Sequence, residues 1–309
     1  GQSITYMSPN ALYITYTYFE STVKFFYNFL DEKGKDLVSN GVLSSLRKLQ
    51  GYDISEFSKV TEMQLIIERY YSSLSTNERK RIENEFENRM EDYSKEHARE
   101  LQKTAIVKLR SGNLSVSSVG EVPGTPLNQF SLDEYKDNLR IATTTSGGFF
   151  GSGDSVNDVY VLSENLSVIG SIKDLGLTER VYSARFVEDK GYLVTFRQVD
   201  PFYVLDLTDP RNPKKAGELK IPGFSSYLHP ITKDKILGVG REDAQVKISL
   251  FDVTDPANPK ESAKYNLSEF WSEIDSTHHA FLLDDKHQVF FLPAGSSGYI
   301  FGYSGNELK

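Results

Sequence analysis

Two stretches of the chain are near copies of each other, and their spacing limits the fold more than any other feature. Residues 203–219 read Tyr-Val-Leu-Asp-Leu-Thr-Asp-Pro-Arg-Asn-Pro-Lys-Lys-Ala-Gly-Glu-Leu. Residues 249–265 read Ser-Leu-Phe-Asp-Val-Thr-Asp-Pro-Ala-Asn-Pro-Lys-Glu-Ser-Ala-Lys-Tyr. Asp206 aligns with Asp252 and Asp209 with Asp255, a period of 46 residues. A period of about 40–50 residues with several short strands per repeat indicates β-propeller blades, each burying its faces against its neighbours.

Both units share one internal order. A first strand (Val181–Phe186; Tyr227–Ile231) leads to a charged turn and a second strand (Tyr192–Phe196; Ile236–Val239). A third strand (Phe202–Leu207; Lys247–Val253) ends in Asp-x-x-Asp-Pro-x-Asn-Pro, and a fourth runs to a break such as Ile221-Pro-Gly223. Weaker copies occupy Phe130–Ile172 and Thr277–Tyr303, the last with no room for a fourth strand. The first blade is split. Its strands Ser3–Met7 and Leu12–Tyr18 find partners only at Ala105–Leu109 and Leu114–Val119. Leaving out residues 21–104 restores one blade length.

The intervening segment reads as helical on separate grounds. Ser75-Thr-Asn-Glu78 is a capping box opening Arg79–Gln102, with Ile82, Phe86, Met90 and Tyr93 as its apolar seam. Asp53-Ile-Ser-Glu56 reads as a second box before a stripe of Met63, Ile66, Ile67 and Tyr70. A third helix, Val42–Gln50, is closed by Gly51. The expectation is an all-β propeller fragment of about four four-stranded blades plus a partial fifth. Its blades are residues 1–20 and 105–309, and residues 21–104 form an α-helical insertion in the first blade.

Composition agrees with pleated strands: 12% of residues are aromatic, 19 Phe and 18 Tyr against one Trp. A formal net charge of −8 repels phosphate backbones, so nucleic acid is not an expected partner. No run approaches the roughly 18 apolar residues of a membrane helix, and these residues contain no signal-peptide pattern. The absence of cysteine excludes disulfides and thiolate chemistry.

Beyond residue 120 the sequence resembles a known family. Glu121-Val-Pro-Gly-Thr-Pro-Leu-Asn-Gln-Phe-Ser-Leu-Asp-Glu-Tyr-Lys-Asp-Asn-Leu-Arg-Ile141 is similar to secreted prokaryotic proteins with a C-terminal β-propeller distantly related to WD repeats. So are Tyr192–Pro201, Leu219–His229 and Ile248–Pro256. The resemblance covers most of 105–309 and implies a secreted or cell-surface setting. It also implies a protein longer at both ends, and it brings no catalytic residues. An incomplete last blade predicts open sheet edges and self-association through them.

In a propeller, loops between second and third strands share one face with the connections between blades. The helical insert, Thr143–Asp158 with its Gly147–Gly153 tip, Arg197–Pro201, Gly240–Gln245 and Pro293–Gly298 should therefore rise from one side. That side is the expected binding face. Its candidate residues are Arg185, Arg197, His229, Arg241, Trp271 and His278. Arg185 and His229 occupy matching first-strand positions; with His278 they could converge on an anion or a metal in the channel. No metal or other cofactor is expected, because Asp-Pro and Asn-Pro initiate turns through their own hydrogen bonds. Nor does the chain contain a P-loop, a Gly-x-Ser-x-Gly elbow or a His-Glu-x-x-His helix. The leading expectation is an extracytoplasmic interaction platform for a protein or glycan. The alternative is a hydrolase or lyase acting on polysaccharide or peptide at the channel mouth.

Overall fold

The structure, a computed structural model, describes residues 3–147, 153–196 and 200–309. Its strands form five four-stranded antiparallel sheets, each built from strands adjacent in space in chain order. The first sheet contains β1 (Ser3–Met7), β2 (Ala11–Phe19), β3 (Gln102–Arg110) and β4 (Val116–Pro123). The second contains β5 (Leu132–Tyr135), β6 (Asn138–Gly147), β7 (Gly153–Leu162) and β8 (Val168–Ile172). The third contains β9 (Arg180–Val187), β10 (Lys190–Phe196), β11 (Asp200–Asp206) and β12 (Lys214–Ile221). The fourth contains β13 (Phe224–Thr232), β14 (Lys235–Glu242), β15 (Gln245–Asp252) and β16 (Lys260–Asn266). The fifth contains β17 (Leu282–Asp284), β18 (Val289–Ala294), β19 (Ser297–Ser304) and β20 (Glu307–Leu308). The fifth sheet departs from expectation. Two residues suffice for a short fourth strand, pairing Leu308 with Tyr303 and Glu307 with Ser304.

Four apolar cores join these sheets in series. Tyr13 and Ile106 meet Ile141 and Tyr160; Ala142 and Val159 meet Val181 and Leu193; Phe202 meets Phe251; Val239 and Ile248 meet Phe290 and Leu292. The Phe202 and Phe251 rings stack with centroids 4.2 Å apart. Removing such a ring from water contributes roughly 1.5–3 kcal/mol. In the third and fourth sheets the middle strands are buried on both faces: Gly191–Thr195 and Ile236–Gly240 are each five consecutive buried residues. In β2 and β18 burial alternates instead. Met7, Ile14, Tyr16 and Val119 lie exposed on the first sheet, Leu282 and Ile300 on the fifth. A sheet face is thus open at each end, in addition to the unpaired edges that the outer strands of every sheet retain.

The Asp-Pro turns help set the stacking. A Cβ on Gly170 of β8 would collide with the backbone at Pro210, and one on Gly217 of β12 with the carbonyls of Pro256 and Ala257. The turns after β11 and β15 therefore rest on the outer strand of the preceding sheet.

Five helices lie between β2 and β3 in the chain: α1 (Thr22–Lys33), α2 (Asn40–Gln50), α3 (Glu56–Ser72), α4 (Thr76–Glu96) and α5 (Ala98–Leu101). They enclose a core of their own, with Phe26, Phe29, Leu46, Met63 and Tyr93 at its centre. Sequence reading placed no separate helix at α1, whose buried Val23, Phe25, Phe26 and Phe29 are β-branched or aromatic and so strand-prone. The α4 capping box between Ser75 and Glu78 is present in full. The α3 cap is Ser55, whose hydroxyl accepts from Ser58 N (3.1 Å), not Asp53. The expected Arg79–Gln102 helix breaks at His97, which stacks on Tyr93 at 4.0 Å, and Gln102 already belongs to β3.

Candidate functional site

The first strand of each sheet, or the turn leading into it, lines one cavity of about 470 Å³. Thr5 comes from β1, Gln129 and Phe130 from the turn before β5, Ala184 from β9, Ser226 from β13, and Asp275 and His278 from the segment before β17. Five sheets thus converge on one axial chamber. Its wall is rich in hydroxyls and amides, the lining that fixes a polar ligand.

Phe130 organises the chamber floor. It sits in a short 3-10 turn, Gln129–Ser131, held by Asn128, whose side-chain oxygen accepts from Phe130 N (2.9 Å). The Arg185 guanidinium lies over the Phe130 ring, 4.2 Å from its centroid. His278 meets that ring edge-on at 4.9 Å, and Tyr227 meets it at 6.0 Å. Tyr227 Oη and His229 Nδ1 are hydrogen-bonded at 2.9 Å, and the His229 ring packs on Phe281 at 4.7 Å. Gln129 Nε2 donates to His278 Nε2 (3.2 Å), since an amide nitrogen has no lone pair with which to accept. Burial first and Arg185 second push His229 down to about 4. Burial, His279 and Arg185 lower His278 as well. Both imidazoles are therefore held neutral at pH 7 in a positive field.

Two sequence candidates, Arg185 and His278, therefore meet at Phe130, and a third, His229, joins the group through Tyr227. His278 reaches the group from a 3-10 turn, His278–Ala280, where a strand start was expected. Arg241 stands at the rim, where its Nη2 donates to Asp275 Oδ2 (2.8 Å) and Ser226 Oγ donates to Asp275 Oδ1 (2.9 Å). Trp271 is apart from the group, 47% exposed in the connection between β16 and β17. Arg197 and the tip at 148–152 lie outside the described residues. Among the described residues no three His, Asp or Glu side chains are placed to hold a metal ion. The repeat carboxylates serve their turns. Asp209 accepts from Arg211 N (2.9 Å) and Asn212 Nδ2 (2.8 Å), and Asp255 accepts from Ala257 N (3.1 Å) and Asn258 Nδ2 (2.8 Å).

Sequence reasoning missed a second cavity. It measures about 620 Å³ at the base of the helices and is lined by Phe19, Gln102, Thr125, Leu127, Thr144 and Arg180. Leu127 borders both cavities, so the two adjoin. Phe19 is 71% exposed there. Gln102 ties the wall together, its Nε2 donating to Thr125 Oγ1 (2.8 Å) and its Oε1 accepting from Ser146 N (3.1 Å). Little in the sequence marked Phe19 or Arg180, because each ends or begins a strand and gains its neighbours only when three sheets meet. The helices are anchored beside this cavity. Arg99 of α5 donates from Nε and Nη2 to the two Asp158 oxygens (2.7 and 2.8 Å) and from Nη2 to Asp174 (2.6 Å).

Five four-stranded antiparallel sheets around an axial chamber define a β-propeller class of protein. The profile of the beta propeller domain family matches residues 1–307, and the chain belongs to that family. It is 51% identical to an uncharacterised protein of Archaeoglobus fulgidus, over 98% of this chain and 48% of that protein. It is 40% identical to an uncharacterised protein of Methanocaldococcus jannaschii, over 98% of this chain and 49% of the relative. The chain spans about half the length of the curated relatives it matches.

Proposed function

We propose that this chain is an extracytoplasmic interaction platform in which residues 21–104 are a helical module inserted into the first of five blades. The observation that carries the reading is the adjacency of the two cavities at Leu127, on the side where the helices stand. An exposed aromatic, an arginine and a hydroxyl-rich wall there suit a protein or glycan partner. The extracytoplasmic setting rests on the family resemblance alone. For the alternative, a hydrolase or lyase, the chamber would need a pair of free acid–base groups. Asp275 is the one carboxylate among the described lining residues, and Arg241 and Ser226 engage it. Binding is the better supported reading.

The test is retention of partners from a cell-envelope extract, run beside a glycan array, with the parent chain and a Phe19→Ala/Arg180→Glu variant. Both positions are exposed, so the fold should survive. Loss of a saturable partner in the variant supports the reading. An unchanged partner profile, both here and on deleting residues 21–104, overturns it.

A further inference from the structure

Arg185 is largely sheltered from water, yet among the described residues it makes no ion pair and no hydrogen bond; its one defined contact is the Phe130 face. The acids that could neutralise it are engaged elsewhere. Asp133 is paired with Arg140, Asp275 with Arg241, and Asp285 accepts from Tyr303 Oη (3.1 Å). A desolvated guanidinium without a counter-charge costs free energy, and a cation–π contact of about 1–2 kcal/mol offsets only part of that. The groups around it also carry donors without negative charge: the Tyr227 hydroxyl, the Gln129 amide and two imidazoles. Burial lowers the Arg185 pKa, while Tyr227 and Asp133 oppose that shift only in part.

Arg185 is not itself a lining residue of the cavity of about 470 Å³; it lies against Phe130, which is. We propose that the Arg185 guanidinium, at the Phe130 edge of the axial chamber, is a receptor site for a small oxyanion, a carboxylate or phosphate group, with the Phe130 ring as its backing. The proposal rests on the binding reading above and names the ligand chemistry of its inner cavity. It does not depend on the helical module. A planar or tetrahedral oxyanion matches the guanidinium fork, and Tyr227 and Gln129 supply neutral donors beside it. Anion entry would also stabilise the protonated form of His229, which Arg185 otherwise disfavours.

The experiment titrates the full 309-residue chain with inorganic phosphate and, separately, sodium glucuronate, against a chloride control at constant ionic strength. Calorimetry and His229 proton NMR are the readouts. Saturable binding of either probe is expected, with an upward shift of the His229 titration midpoint. Arg185→Met keeps the side-chain length and removes the charge, and it should weaken binding about tenfold or more. Binding of phosphate alone or of glucuronate alone identifies the source chemistry and supports the site. Absence of saturable binding by both probes overturns the proposal, as does an Arg185→Met variant that binds as the parent does. If that variant fails to fold, the His229 shift in the parent chain decides. No shift at saturating probe means no anion in the chamber. Loss of partners on deleting residues 21–104, with anion binding intact, would separate this site from the outer reading.

Discussion

The Arg99 guanidinium grips both oxygens of Asp158, a carboxylate with no exposed side-chain surface, so that the last turn of the helices is bonded to the middle of β7. Tyr160 Oη (2.7 Å) and Asp174 N (3.0 Å) also donate to Asp158. Arg99 holds its carboxyl below the usual range against the opposing push of burial. A buried carboxylate that accepts four hydrogen bonds therefore ties α5 to the second sheet.

Breaking that pair should be costly. Arg99→Ala leaves Asp158 buried and unpaired, and a loss of about 3–5 kcal/mol is expected. Denaturant unfolding of the parent, Arg99→Ala and Arg99→Ala/Asp158→Asn proteins checks it. The double variant should recover part of the loss; equal stability of all three would show the pair to be unimportant.

Gly217→Val tests the stacking of sheets. The side chain would meet the Pro256 and Ala257 carbonyls, and overpacking of this kind costs about 1–3 kcal/mol. Gly302→Ala, where the nearest atom is 3.9 Å away, should change stability by less than about 0.5 kcal/mol. A Gly217→Val midpoint equal to the parent's would remove the turn from the account of blade packing.

The His229 imidazole titrates near 6.5 in the unfolded chain and at about 4 in the folded one. Below pH 6.5 the unfolded state binds the extra proton, so stability falls as pH is lowered and levels off below about 4. Above 6.5 this group adds no pH dependence. At 1.36 kcal/mol per unit the upper bound is about 3 kcal/mol, reduced by partial solvent access. Urea midpoints at pH 7, 5.5 and 4.5 should drop less for His229→Gln than for the parent. Parallel curves would contradict the buried, neutral imidazole.

The open faces predict association. Leu282 pairs across to Phe291, and Phe291 to Ile300, an apolar row on the outer face of the fifth sheet. Leu282 is 61% and Ile300 72% exposed. Leu282→Lys/Ile300→Lys should shift the chain toward monomer in light scattering at little cost in stability. A parent that is monomeric at high concentration would show that this face needs no cover.

Much of the architecture was legible because its causes are local. Alternating residues and turn signals marked the strands, and the Ser75–Glu78 box marked α4. Helix α1 was hidden because its apolar face is nearly all aromatic or branched. The candidate site was only half legible. Arg185 and His229 stood out through the repeat, whereas Phe130, on which Arg185 and His278 pack, stood only as the first residue of a weaker copy. The glycines at 120, 170 and 217 recur at nearly the blade spacing, a signal that could have revealed the turn-on-strand contacts.

The sequence by itself determined the 46-residue unit, its four-strand order and its turns, since Asp206, Asp209 and Asn212 find their partners within a few residues. Only the tertiary structure decided that Arg185 lacks a counter-ion, that Leu127 joins two cavities, and that the end sheets expose apolar faces. Each of those facts depends on which surfaces meet between sheets, and their partners lie tens of residues or more apart in the chain. No local pattern encodes such a distance; packing does.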